Sequence, residues 1–217
     1  MHVLGNSNSI FNQFVAEIRD EVIQKDAMRF RRNLERCGEI FAYELSKTIS
    51  YSKKTVVTPL GEVEIDLPES QPVIATILRA GLPLHQGILN FFDKAENAFI
   101  SAYRKHDKNE ESFTIKMEYL SAPEIEGKTL IISDPMLATG ASMTTVVNAL
   151  KGLGKPKHIH IVSLIASKEG VAYIRKTLNK NEFTLWLGFI DDELTATSYI
   201  VPGLGDAGDL AFGKKRD

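Results

Sequence analysis

The chain has 217 residues, 43% of them hydrophobic and 25% charged, with 26 basic against 28 acidic side chains for a formal charge of -2. This is a globular composition long enough for a full apolar core, and it excludes disordered, collagen-like and low-complexity chains. The charge offers no whole-molecule attraction to nucleic acid or an anionic membrane, and no apolar run approaches the roughly 18 residues of a spanning helix. A single cysteine, Cys37, makes neither an internal disulfide nor a multi-thiolate zinc site, and no secretory pattern follows the start. The expectation is a cytoplasmic protein with no nucleic-acid or membrane partner, in which any anion is bound by a local site.

In chain order, Phe30, Leu34, Cys37, Phe41 and Leu45 recur every three or four residues after an N-cap signal at Asp26, predicting an amphipathic helix. Thr55 to Thr58, Pro59-Leu60-Gly61 and Val63 to Leu67 read as a hairpin turned by Pro and Gly. Residues 1–70 are thus a helical arm and a β-hairpin. From 71 to 217 the pattern changes to an α/β core, the whole forming one domain. Short β-branched runs at Val73 to Leu78, Ala98 to Ala102, Leu130 to Ser133, Ile159 to Ala166 and Phe183 to Phe189 alternate with helical segments near 82–92, 142–152 and 168–179. Such strands predict a mostly parallel sheet flanked by helices, with ligands at the strand carboxyl ends.

One of those ends is chemically distinctive. The strand Leu130-Ile131-Ile132-Ser133 runs into Asp134-Pro135-Met136-Leu137-Ala138-Thr139-Gly140-Ala141-Ser142 and then into a helix. Free amides at a helix start, the helix dipole, and the hydroxyls of Thr139, Ser142, Thr144 and Thr145 would suit a phosphate group, with Gly140 permitting close backbone approach. Asp134 is placed to accept hydrogen bonds from sugar hydroxyls. An ordinary strand-to-helix loop capped by Ser and Thr fits the loop equally well on its own.

This loop resembles the phosphoribosyl diphosphate (PRPP) binding motif of the type I phosphoribosyltransferases, and its Asp-Pro-Met-Leu-Ala-Thr-Gly core is similar to the version found in the uracil phosphoribosyltransferase family. Ile77-Leu78-Arg79-Ala80-Gly81-Leu82, Tyr103-Arg104, and Tyr199 through Asp209 to Phe212-Gly213 are similar to segments of that family, in the same order. The resemblance implies that PRPP is held by Arg79, Arg104, Asp206 and the residues Asp134, Pro135, Met136, Leu137, Ala138, Thr139, Gly140, Ala141 and Ser142. It places uracil against Ile200, Gly205, Asp206 and Ala207. Arg79, Arg104, Asp134 and Asp206 are then the residues nearest the chemistry, with the two arginines on the diphosphate. Mg²⁺ is implied as part of the PRPP complex, bound mainly through substrate oxygens and not through a protein metal site. A homodimer or larger homo-oligomer and a GTP effector are implied in the same way.

Two departures from the family pattern stand out. Ala141 replaces a second glycine after Gly140, which is expected to bear on PRPP affinity more than on fold, and Ser198 replaces a common glycine. Other motifs are weaker. Gly203, Gly205 and Gly208 fit a dinucleotide-type spacing, yet too little chain follows for a βαβ unit; Gly127-Lys128-Thr129 mimics the end of a Walker loop but precedes its strand. His158 and His160 share a strand face without a third ligand, Asp191-Asp192-Glu193 reads as a solvated acidic loop, and Lys214-Lys215-Arg216 as a solvated tail. A second functional reading is a non-catalytic nucleotide or PRPP sensor on the same fold, although no basic stripe with interleaved aromatics supports an RNA partner.

Overall fold

The computed structural model describes residues 1–106 and 113–215, and the side chains of 103–116 lie outside what it describes. In chain order the elements are β1 (His2–Val3), α1 (Ile10–Arg19), α2 (Ala27–Ser46), β2 (Tyr51–Thr58), β3 (Gly61–Pro68), β4 (Val73–Leu78), α3 (Leu82–Phe91), β5 (Glu96–His106) and β6 (Phe113–Ser121). There follow β7 (Thr129–Ser133), β8 (Met136–Leu137), α4 (Ala141–Lys151), β9 (His158–Ser167), α5 (Lys168–Thr177), β10 (Phe183–Asp191), β11 (Glu193–Leu194), β12 (Ile200–Val201) and α6 (Ala207–Phe212).

The amphipathic helix begins where its cap signal lies: the Asp26 carboxylate accepts from the Met28 and Arg29 amides at 3.0 and 3.1 Å, a cap worth about 1 kcal/mol. Helix α1 lies outside the predicted elements. Ser9 caps it, and Phe11, Val15 and Ile18 at i, i+4 and i+7 form its buried face. The hairpin is longer than predicted because the ladder continues through Lys53, Lys54 and Asp66, polar residues that an apolar pattern does not mark. Its two strands close at Thr58 opposite Gly61, around Pro59-Leu60.

The main sheet runs β1-β10-β9-β7-β4-β5-β6, with β8 joining β9. All its pairings are parallel except β5 with β6. Side chains alternate across it with period two. Ile74 and Ile131 face a layer containing Phe11, Phe30, Phe41, Leu84 and Ile88 of α1 to α3. Val73, Ala75, Leu130 and Ile132 face Val146, Val147, Leu150 and Ile174 of α4 and α5. A parallel sheet covered on both faces leaves its strand ends as the open edge, and the parallel strands β4, β7, β9 and β10 bring their carboxyl ends to the same edge.

The two strand histidines are structural. His160 accepts from the Trp186 indole N–H at Nδ1 (3.0 Å) and His158 Nε2 pairs with Thr184 (2.9 Å). Burial pushes His160 down to about 3, which keeps Nδ1 free to accept. Cys37 is buried in α2, where burial raises its thiol.

Candidate active site

At the carboxyl edge of the sheet lies a cleft of about 1050 Å³. Strand β4 ends at Leu78, the Leu78–Arg79 peptide is cis, and the chain turns at once into α3, with the Leu82 amide donating to the Arg79 carbonyl at 3.2 Å. Arg79 therefore sits at a strand end, half exposed, and its Nη2 donates to Asp209 Oδ1 (3.2 Å) and to the Gly213 carbonyl (3.3 Å). Both contacts join β4 to the C-terminal segment. Arg104 lies on β5 opposite Ile115 of β6; its side chain is outside the described residues.

Two strands away, β7 delivers Asp134. Its amide donates to the Val162 carbonyl (3.1 Å) and its Oδ1 accepts from the Met136 amide (3.2 Å). Burial pushes the Asp134 carboxyl up to about 7, against the opposing pull of the Met136 N–H.

The loop after Asp134 divides between core and cleft. Met136, Ala138 and Ser142 line the cleft, whereas the Pro135 and Leu137 side chains are buried. Those two residues have backbone to offer a ligand, and the Pro135 carbonyl already accepts from Ile165 (2.9 Å). Gly140 takes the left-handed conformation at φ 79°, where a Cβ would also lie 3.0 Å from the Gly170 carbonyl. Ala141 opens α4, beyond the positive-φ position, so its methyl is accommodated without backbone strain. Thr139 Oγ1 accepts from the Ala141 amide at 3.4 Å. Two of the proposed hydroxyls are turned to other work. Thr144 is buried and pairs with Thr177 of α5 (3.4 Å), and the Thr145 hydroxyl donates back to the Ala141 carbonyl (3.0 Å).

The third wall is C-terminal. Ile200, Gly205, Asp206, Ala207, Gly208 and Asp209 line the cleft. Gly203 and Gly205 have φ of 54° and 92°, and the Val201–Pro202 peptide is cis. Asp206 Oδ1 caps α6 by accepting from the Asp209 amide (2.9 Å). The loop between β11 and β12 contributes Thr197, Ser198 and Tyr199, which the sequence did not single out as a wall. Ser198 has φ 63°, a conformation that favours glycine, which accounts physically for the glycine common at this place.

The Asp191-Asp192-Glu193 segment is not wholly the solvated acidic loop that its sequence suggests. Asp192 and Glu193 are exposed, but Asp191 is only 8% exposed and accepts both guanidinium nitrogens of Arg19, at 2.7 and 2.8 Å. Burial alone would raise the Asp191 carboxyl; the Arg19 hydrogen bond, the Gly203 N–H and the Arg19 charge outweigh it and hold the carboxyl below its ordinary value. No spacing rule could pair these residues, because they lie 172 positions apart. Lys214 and Lys215 are exposed, as a solvated tail requires, and Lys215 also borders the cleft. Among the described residues no group of three or more His, Cys, Asp or Glu is arranged to hold a metal ion, and no helix is long and apolar enough to cross a membrane.

A parallel sheet with an arginine turn after one strand, an acid and helix start after another, and a separate C-terminal wall over the same edge is the type I phosphoribosyltransferase architecture. The fold is shared with a hypoxanthine-guanine phosphoribosyltransferase from Bacillus anthracis, 15% identical, with a TM-score of 0.51 over 75% of this chain and 81% of that one. The chain belongs to the uracil phosphoribosyltransferase family, whose model matches residues 6–214. It is 56% identical to a uracil phosphoribosyltransferase of Porphyromonas gingivalis over 98% of this chain and 97% of that protein. With a uracil phosphoribosyltransferase of Methanococcus vannielii it shares 41% identity over 88% of this chain and 82% of that protein. The structure of the AQ2163 protein from Aquifex aeolicus is similar throughout, with a TM-score of 0.86, 28% identity and 98% coverage of both chains.

Proposed function

We propose that this protein transfers the 5-phosphoribosyl group of PRPP to uracil, forming UMP and diphosphate. The observation that carries the reading is the cleft itself, which brings Arg79, then Asp134, Met136, Ala138 and Ser142 of the loop after β7, and Ile200 and Gly205 to Asp209 of the C-terminal segment to one sheet edge within a chain of this family. Uracil N1 forms the new bond to ribose C1, the bond from C1 to the diphosphate oxygen breaks, and the N1 proton is lost. Positive charge develops on the sugar and negative charge on the departing diphosphate, so stabilising the leaving group is the main demand.

Each wall fits one part of that demand. Arg79 and Arg104 take the diphosphate; Arg79 exchanges its contact with Asp209 for phosphate oxygens, which match its planar donors. The Thr139 to Ser142 turn and the start of α4 take the 5-phosphate. Asp134, reached from β7, takes the ribose hydroxyls. The backbone groups of Gly205 to Ala207 read the uracil O4 acceptor and N3–H donor. Cytosine reverses that pattern and would leave polar groups unpaired in the cleft.

Mg²⁺ enters with PRPP. Its ligands would come mainly from the hard diphosphate oxygens, and when bound it would supply charge neutralisation on the leaving group. A homodimer or larger assembly, GTP as an activating effector, and a cytoplasmic location complete the proposal on family resemblance. The sensor reading has no observation in its favour beyond the shared fold.

The test is kinetic. Asp134→Asn and Arg79→Ala are each expected to lower kcat/KM by about tenfold or more, the scale of one lost transition-state contact, without loss of fold by circular dichroism. Near-normal turnover in both variants would overturn these assignments.

A further inference from the structure

The segment that reads the base has little local means of holding its shape. Between β12 and the short helix α6, Gly203 and Gly205 both have positive φ, and glycine backbones carry the largest conformational freedom of any residue. What holds the segment comes from the far end of the chain. Arg19, the last residue of α1, clamps Asp191 with both guanidinium nitrogens. The same Arg19 Nη1 donates to the Gly203 carbonyl at 3.0 Å, and Asp191 Oδ2 accepts from the Gly203 amide at 2.8 Å. One ion pair thus takes both backbone groups of Gly203. The Gln24 side-chain amide, oriented to satisfy both partners, donates to the carbonyls of Ile18 (3.1 Å) and Leu204 (2.8 Å). Arg31 of α2 donates to the Ala211 carbonyl (2.6 Å).

An exposed ion pair would add little to the molecule. This one is different in kind. Asp191 is nearly buried, Arg19 is 22% exposed and lies 5.5 Å from the centre of the Phe189 ring, and the pair closes on the peptide two residues before Gly205. Neither residue lines the cleft.

We propose that Arg19 and Asp191 are positioning residues for the base: through Gly203 they fix the backbone of Gly205 to Ala207 against uracil, and bear on the PRPP half of the cleft only weakly, through Asp206. The proposal rests on the assignment of uracil to that segment. It also gives the N-terminal arm a function, since α1 supplies the arginine.

The experiment uses the full chain with Mg²⁺, varying uracil at saturating PRPP and then PRPP at saturating uracil. Arg19→Ala and Asp191→Asn are expected to raise the KM for uracil about tenfold or more and to leave the KM for PRPP within about twofold, because misplacing one recognition group costs binding at that group alone. Arg19→Lys keeps the charge but loses the fork, so a single ammonium meets Asp191 or Gly203 and the uracil KM should rise by about threefold, between parent and alanine. If Arg19→Ala does not fold, Arg19→Lys and Asp191→Asn carry the test. An unchanged uracil KM in these variants, or both KM values rising together in step with a falling Tm, would overturn the positioning role. Ala207→Val separates this from the reading beneath it. A raised uracil KM there with no effect at Arg19 or Asp191 removes the positioning role alone, and an unchanged uracil KM at Ala207→Val takes down the base assignment and the proposal together.

Discussion

The Asp134 to Ser142 loop and the Ile200 to Asp209 segment face each other across one cleft, but they are secured from different distances along the chain. The first is contiguous with the strand and helix that hold it: β7 ends at its first residue, α4 begins within it, and β8 pairs it to β9. The second is tied down at Gly203 and Leu204 by Arg19 and Gln24 of the N-terminal arm, more than 170 residues away in sequence, with Asp191 completing the Gly203 clamp and Arg79 holding Asp209. A phosphate site made of a strand end and a helix start is a local object, whereas a glycine-rich base reader must borrow its rigidity. Errors in the first should therefore affect PRPP, and errors in the second chiefly uracil, reaching PRPP only through Asp206 and the Arg79 contact at Asp209.

Paired glycine substitutions break this comparison most strongly. At Gly203 a Cβ would lie 2.1 Å from the Ile200 carbonyl with φ at 54°. Gly203→Ala is expected to cost about 3 kcal/mol by denaturant unfolding, from the left-handed penalty plus the clash, and to raise the KM for uracil. Gly140→Ala meets a looser neighbourhood, with the Gly170 carbonyl at 3.0 Å and φ at 79°. It should cost about 1–2 kcal/mol and raise the KM for PRPP. Equal effects of both variants on both substrates would erase the distinction.

The Asp134 carboxyl sharpens the local half. Its pKa rises from 3.8 to about 7 on folding, so its favourable contribution is present at acid pH and is lost as pH climbs through about 7. Asp134→Asn removes this dependence. The Tm of the variant relative to the parent should grow from pH 4 to pH 7 and then level off, and a difference independent of pH would contradict the raised pKa. Ser198→Gly gives the smallest effect. Relieving φ 63° in the loop over the base wall should add about 1 kcal/mol of stability, read as a higher denaturant midpoint.

What the sequence made legible follows the same division. The strand-loop-helix at Asp134 and the helix cap at Asp26 are local patterns, and the structure places them where the pattern does. The apolar alternation that predicts the core strands survives because a sheet buried on both faces tolerates little else. Contacts over long distances are not written in spacing. Asp191 reads as one of three consecutive acids until Arg19 is folded against it, and Thr144 reads as a phosphate hydroxyl until α5 covers it. In each case the missing information is which distant element packs on the residue.

The most direct measurement is product formation from PRPP and Mg²⁺ with uracil, run beside cytosine, orotate and hypoxanthine and resolved by chromatography. UMP from uracil alone is the predicted result, since it requires both the phosphate loop and the base reader to work as described. Absence of product from folded protein that still binds PRPP, or nucleotide formed from orotate or hypoxanthine as readily as from uracil, would contradict the account.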